Sequence, residues 1–186
     1  MKLQVKTTKS LKGEILIPAS KSHTIRAVVM ASCADGVSEL INPLFSDDTR
    51  AIINSCTALG AQIQEKDGDL IIEGFGSRPR TPDQGLDMLN SGTSTNLILG
   101  ILGALGVETE ITGDASLCSR PVTALADALT GLGCSIEYLE NKGCPPLKIS
   151  GQIQGSRITS GMPIAESRYK SLIVSCGSEK VSEALR

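Results

Sequence analysis

Asp47-Asp48-Thr49-Arg50-Ala51-Ile52-Ile53, running on to Ala58-Leu59-Gly60-Ala61-Gln62-Ile63, has a second copy in the chain. That copy is Ser119-Arg120-Pro121-Val122-Thr123-Ala124-Leu125, running on to Gly131-Leu132-Gly133-Cys134-Ser135-Ile136. Each stretch reads as a helix begun at a polar cap, closed at Leu-Gly and followed by a strand. Pro121 suits the first helical position, and Gly60 and Gly133 suit the left-handed residue past a helix end. Toward the N-terminus, residues 22–34 followed by Gly36-Val37-Ser38-Glu39-Leu40-Ile41 parallel residues 92–104 followed by Gly106-Val107-Glu108-Thr109-Glu110-Ile111. In the other direction, Asp69-Leu70-Ile71-Ile72-Glu73-Gly74 corresponds to Pro146-Leu147-Lys148-Ile149-Ser150-Gly151. Lys66-Asp67-Gly68-Asp69 carries the Asp-Gly signal of a hairpin. With residues 13–18 and 80–88 as first strands, the unit is βαβαββ, repeated at about seventy residues. A third unit begins at Gln152, with residues 169–176 as its first helix. The pattern predicts two units of one α/β domain over residues 19–151. Residues 152–186 are expected to start a third unit, diverged or truncated. An α/β unit without the rest of its sheet leaves an edge and an apolar face uncovered, so the expectation is an incomplete domain.

The 186 residues hold 18 Lys and Arg against 20 Asp and Glu, a formal charge of −2, with two Phe, two Tyr and no Trp. Nucleic-acid binding needs a basic face and usually aromatic platforms, so no nucleic-acid partner is expected. The core must be aliphatic. The longest apolar stretch, residues 97–107, is about half of the roughly 20 residues a membrane span requires, and no membrane partner is expected. The first residues, MKLQVKTTKSLKGEILIP, lack the continuous apolar core of a signal peptide, which predicts a cytoplasmic protein. Six cysteines without a CxxC pair, beside a single histidine, point to reduced and mostly buried thiols and to no metal site.

Two junctions of loop and helix occupy equivalent places in the repeats: Pro18-Ala19-Ser20-Lys21-Ser22-His23-Thr24-Ile25-Arg26 and Asn90-Ser91-Gly92-Thr93-Ser94-Thr95-Asn96. A helix N-terminus presents unpaired N–H groups and the positive end of the helix dipole, which suits phosphate or carboxylate. Ser22 and Arg26 are four apart, so Lys21, the Ser22 hydroxyl and the Arg26 fork can converge on one anion; a plain Ser/Thr cap with solvated charges accounts for the same spacing. Gly92 allows close approach of a ligand to the backbone, or is an ordinary turn glycine. In Gly113-Asp114-Ala115-Ser116-Leu117-Cys118-Ser119-Arg120-Pro121, Arg120 stands before an expected helix start as a second anion clamp or a surface arginine. Asp47 and Asp48 are expected to cap a helix. His23 has no partner nearby in sequence and is read as a bystander rather than a general base.

These residues carry a family resemblance. Pro18-Ala19-Ser20-Lys21-Ser22-His23-Thr24-Ile25-Arg26-Ala27 is similar to the P-[GA]-S-K-S-x-x-x-R-A signature of 5-enolpyruvylshikimate-3-phosphate synthases. Asn90-Ser91-Gly92-Thr93-Ser94 resembles the family's N-[AS]-G-T-[AST] loop, and Gly113-Asp114 through Arg120-Pro121 resembles its G-[DE]-x5-R-P segment. Ser46-Asp47-Asp48-Thr49-Arg50 also fits a family pattern. The resemblance implies repeated βαβαββ units of the enolpyruvyl transferase fold, an inside-out α/β barrel, here incomplete, with strands in residues 1–18 that belong to another domain. It implies transfer of the enolpyruvyl group from phosphoenolpyruvate to the 5-hydroxyl of shikimate 3-phosphate, with release of phosphate and with no metal or organic cofactor. By residue-by-residue carry-over, Lys21, Ser22 and Arg26 contact shikimate 3-phosphate, and Lys21 also reaches phosphoenolpyruvate. Gly92 and Arg120 contact phosphoenolpyruvate; Asn90, Thr93 and Ser167 complete the expected substrate-binding set.

Two positions depart from the family pattern. Asn96 stands where the family usually has an arginine, removing one cation for phosphoenolpyruvate. Glu166-Ser167-Arg168 stands where the family has Ser-Ser-Gln, and a glutamate beside a bound phosphate repels it. The family's proton-transfer groups lie in a later part of the chain that has no counterpart here, so no catalytic residue is assigned and the chain alone is expected to be inactive. The alternatives are a non-catalytic anion-binding domain, half of a split enzyme whose second half is separately encoded, and the related UDP-N-acetylglucosamine enolpyruvyl transferase. The last is disfavoured because that family lacks the Ser-Lys-Ser and Arg combination, and Cys118 sits in the wrong local pattern for its loop cysteine.

Overall fold

The computed structural model describes residue 4, residue 10, residues 12–15 and residues 17–154. In chain order these form α1 (Lys21–Cys33), β1 (Val37–Leu40), α2 (Asp47–Ala58), β2 (Gln62–Lys66), β3 (Asp69–Glu73) and β4 (Leu86–Asp87). Then follow α3 (Gly92–Leu105), β5 (Thr109–Thr112), a 3-10 turn at Leu117–Ser119, α4 (Thr123–Gly131), β6 (Cys134–Tyr138) and β7 (Leu147–Gly151). The expected third unit and Ser167 lie outside the described residues.

Serine chemistry sets three of the helix starts. The Ser20 hydroxyl accepts from the His23 N–H, and the Ser91 hydroxyl accepts from the Ser94 N–H. Ser46 and Thr49 form a reciprocal capping box at α2. The expectation that Asp47 and Asp48 cap α2 is therefore corrected: Ser46 is the cap, and both aspartates lie in the first turn, where the dipole favours them. Helix α4 also starts later than expected. Val122, not Arg120, is its cap, because the Val122 N–H is held by the Gly143 carbonyl at 2.8 Å. Pro121 thus lies before the helix. The β2–β3 hairpin turns at Asp67 and Gly68, both with positive φ (54° and 90°), as a tight two-residue turn requires.

The two units have the same strand order. One sheet runs β1-β3-β2 and the other β4-β5-β7-β6, with every neighbour antiparallel except β4 and β5, which are parallel. Thus β1, β2 and β3 correspond to β5, β6 and β7. The expected strand over residues 80–88 shortens to Leu86–Asp87, since Pro79 and Pro82 cannot donate to a ladder. The strand expected over residues 13–18 is not formed by the described residues of that stretch. Ile15 and Ile17 are instead 85% and 76% exposed, with no ladder partner among the described residues.

Helix α3 is apolar on nearly all sides and is enclosed by α1, α2, α4 and β7. Its Ile98, Leu99 and Leu102 are completely buried, each worth roughly 1.5–3 kcal/mol of transfer free energy. Sheet residues Leu70, Ile72, Ile111, Leu147 and Ile149 close on the same core. Burial pushes the Cys56 thiol up to about 12, which makes it inert at neutral pH. No helix among the described residues is long and apolar enough to cross a membrane.

Candidate functional site

The starts of α1, α2 and α3 meet. Lys21, first in α1, donates from Nζ to Asp48 Oδ2 at 2.6 Å across 27 residues of sequence. Asp48 belongs to the first turn of α2, and its main-chain carbonyl accepts from Ser94 Oγ of α3 at 3.2 Å. The Ser91 and Ser94 hydroxyls lie 2.7 Å apart. Three positive helix ends therefore converge around one carboxylate, which concentrates N–H dipoles in a single place.

A second set of contacts adjoins the first. Asn90 Oδ1 accepts from Arg120 Nη2 at 2.6 Å, and Asn90 Nδ2 donates to Asp114 Oδ2 at 2.6 Å. Arg120 also donates to the Asn90 carbonyl at 3.3 Å and to Ser116 Oγ at 2.9 Å. The amide of Asn90 stands between the guanidinium and the carboxylate, so Arg120 is oriented without being directly neutralised. The loop that carries Asn90 is held on both sides. Leu89 has a φ of 51°, its N–H donates to Asp87 Oδ1 at 2.8 Å, and its carbonyl accepts from the Asp114 N–H at 2.8 Å. An ideal Cβ on Gly92 would meet only Arg120 Nη1, at 3.7 Å, so this glycine faces the Arg120 side of the site.

The charges of the two sets act on each other. Burial alone would raise the Asp48 carboxyl, but hydrogen bonds from Lys21 and Ser91, with the charges of Lys21 and Arg120, outweigh it and hold the group below its ordinary value. Asp114 is held low mainly by the Asn90 amide, then by the Leu117 N–H, with smaller help from Ser116 and Arg120.

The structure therefore brings Asn90, Gly92 and Arg120 together, and places Ser22 beside Arg26, whose Nη1 donates to the Ser22 carbonyl at 2.9 Å. Thr93 is half-buried in the first turn of α3. His23 contributes its backbone N–H to the Ser20 cap and is otherwise exposed. Sequence reading missed Asp48 as a partner of Lys21. The only signal was two adjacent aspartates at a helix start, which capping explained equally well. A separate open cleft of about 370 Å³ lies between α2 and the segment leading to α3. Asn54, Asp83, Gln84 and Asp87 line it without a cation, a poor match for an anionic ligand.

The sequence model of the EPSP synthase family (3-phosphoshikimate 1-carboxyvinyltransferase) matches residues 5–182. The chain belongs to the EPSP synthase family. Among its relatives, the 3-phosphoshikimate 1-carboxyvinyltransferase of Caldicellulosiruptor saccharolyticus is 33% identical over 174 residues, covering 94% of this chain and 40% of that protein. The protein of the same name from Acetivibrio thermocellus is 40% identical over 159 residues, 84% of this chain and 37% of that protein. A solved EPSP synthase from Acinetobacter baumannii superposes with a TM-score of 0.80 at 31% identity, over 90% of this chain and 38% of that chain. The mixed α/β fold is thus that of EPSP synthases, with helices toward the centre and sheets outside. The chain spans about two fifths of the length of the relatives it matches.

Proposed function

We propose that this chain supplies the shikimate 3-phosphate side of a cleft for enolpyruvyl transfer. In this reading residues 19–151 are two units of one domain, residues 1–18 belong to another, and residues 152–186 open a third unit. The observation that carries it is the convergence of three helix N-termini on a cluster holding Lys21 and, through Asn90, Arg120. Both substrates of the proposed reaction, shikimate 3-phosphate and phosphoenolpyruvate, are polyanions whose mutual repulsion must be offset. Fixed cations and prealigned N–H groups do that without reorganising during the reaction. Lys21, Ser22 and Arg26 hold shikimate 3-phosphate, with Lys21 also reaching phosphoenolpyruvate; Gly92 and Arg120 face phosphoenolpyruvate, and Asn90, Thr93 and Ser167 complete the substrate-binding set. No metal or organic cofactor enters. Proton transfer at the enolpyruvyl carbon needs an acid and a base that this reading assigns to no residue of the chain, so binding rather than turnover is expected of the chain alone.

Calorimetric titration of the 186-residue chain with shikimate 3-phosphate tests this. The expected result is saturable binding that weakens with salt and weakens further in Lys21→Ala and Arg26→Ala. Equal heats for the chain and for both variants would overturn the assignment.

A further inference from the structure

We infer that Asp48 acts on ligand binding through Lys21, as an internal counter-anion that occupies the ammonium and lowers its affinity for small anions. The inference rests on the reading of Lys21 as a phosphate-binding residue and adds a residue that sets how tightly a small anion is held there. The three site cations differ in their partners. Arg26 is bonded to the Ser22 carbonyl, and Arg120 to the Asn90 amide and carbonyl and the Ser116 hydroxyl. Among the described residues, Lys21 alone of the three has a carboxylate on it, at 2.6 Å. That carboxylate is not a loosely held surface group. It sits in the first turn of α2, where the helix dipole favours an anion, and its own carbonyl is tied to Ser94 of α3.

An anion arriving at Lys21 must share or displace Asp48. Inorganic phosphate brings only its charge to that exchange. A phosphorylated ring with hydroxyls brings further contacts that offset the same penalty, so the larger ligand still occupies the site at concentrations where the small anion no longer does. The Lys21 and Asp48 side chains remain 48% and 25% exposed, which keeps the effect modest.

The test is an NMR titration of the chain with inorganic phosphate in four forms: unsubstituted, Asp48→Asn, Lys21→Met and the double variant. Asp48→Asn is expected to tighten phosphate binding by about two- to fivefold. In the Lys21→Met background the same change is expected to leave affinity unaltered, the coupling that a cycle isolates. Asp48→Glu, which keeps the charge, should bind phosphate as the unsubstituted chain does. Asp48→Ser, which keeps a polar group in the first turn of α2, repeats the measurement should Asn perturb folding. Unchanged or weaker binding in Asp48→Asn and Asp48→Ser overturns the inference, and so does an equal gain with Met at position 21. A parallel titration with shikimate 3-phosphate separates the two readings. If Lys21→Met leaves that affinity unchanged, the binding site itself is misassigned. If Lys21→Met weakens that affinity but Asp48→Asn leaves inorganic phosphate binding unchanged, only the counter-anion role falls.

Discussion

Gly92 leaves room that the protein itself does not need. An alanine there meets only Arg120 Nη1 at ordinary contact distance, so Gly92→Ala is expected to change folding stability by no more than about 0.5 kcal/mol. The added methyl instead takes space beside the guanidinium. Thermal melts of the variant should overlay those of the parent while, under the proposed function, phosphoenolpyruvate binding weakens; a clear drop in melting temperature would show that the glycine serves the fold. Acid sensitivity follows from Asp48 and Asp114, whose carboxyls are both held low in the folded chain. A depressed folded value means that each contributes stability in full above the unfolded carboxylate value of about 3.9, and loses it as pH falls through the folded value. Melting temperature should therefore fall below about pH 4 for this reason, and less steeply in Asp114→Asn. An identical acid slope in that variant would remove Asp114 from the account.

At the scale of elements, the end of α1 and the turn after it are locked to the segment that leaves β3. The Phe75 N–H donates to the Ser32 carbonyl at 2.8 Å and the Gly74 N–H to the Gly36 carbonyl at 3.0 Å. A Cβ on Gly74 would stand 2.1 Å from the Ala34 carbonyl oxygen and 2.5 Å from that of Ala31, main-chain atoms that cannot swing aside. Gly74→Ala is expected to cost about 1–3 kcal/mol in urea unfolding, as overpacking does, whereas Ser46→Ala should cost about 1 kcal/mol through the lost cap. An unshifted urea midpoint for Gly74→Ala would mean that α1 moves off β3 without loss. What the sequence revealed at this scale depended on how far apart the interacting groups lie. The Asp67-Gly68 turn and the glycines after α2 and α4 are local chemistry, legible within a few residues, whereas which serine caps α1 and α3 came only from the structure. The start of α4 was misplaced because its decisive bond comes from Gly143, and the pairing of Lys21 with Asp48 was invisible because it spans 27 positions. The family motifs marked the right loops, but only packing showed that Asn90 stands between Arg120 and Asp114.

Over the whole molecule, one apolar cluster draws from both units, and α3 lies at its centre. The two units should therefore unfold together. Leu99→Ala, at a completely buried position, is expected to cost about 2–5 kcal/mol while leaving a single transition by far-UV circular dichroism and by NMR. Two separated transitions would show that the repeats are independent. The repeat is nevertheless unequal at its edges: β5 lies between β4 and β7, while β1 is paired only with β3 among the described residues. Two strands of the same length and the same rank in their units thus differ in how much of their backbone is shielded. In deuterated water the amides of β1 that point away from β3 should exchange quickly, close to the rate of an unprotected chain. Those of β5 should persist until larger openings release them, so that the clock of isotope exchange tells apart two strands that topology makes equivalent.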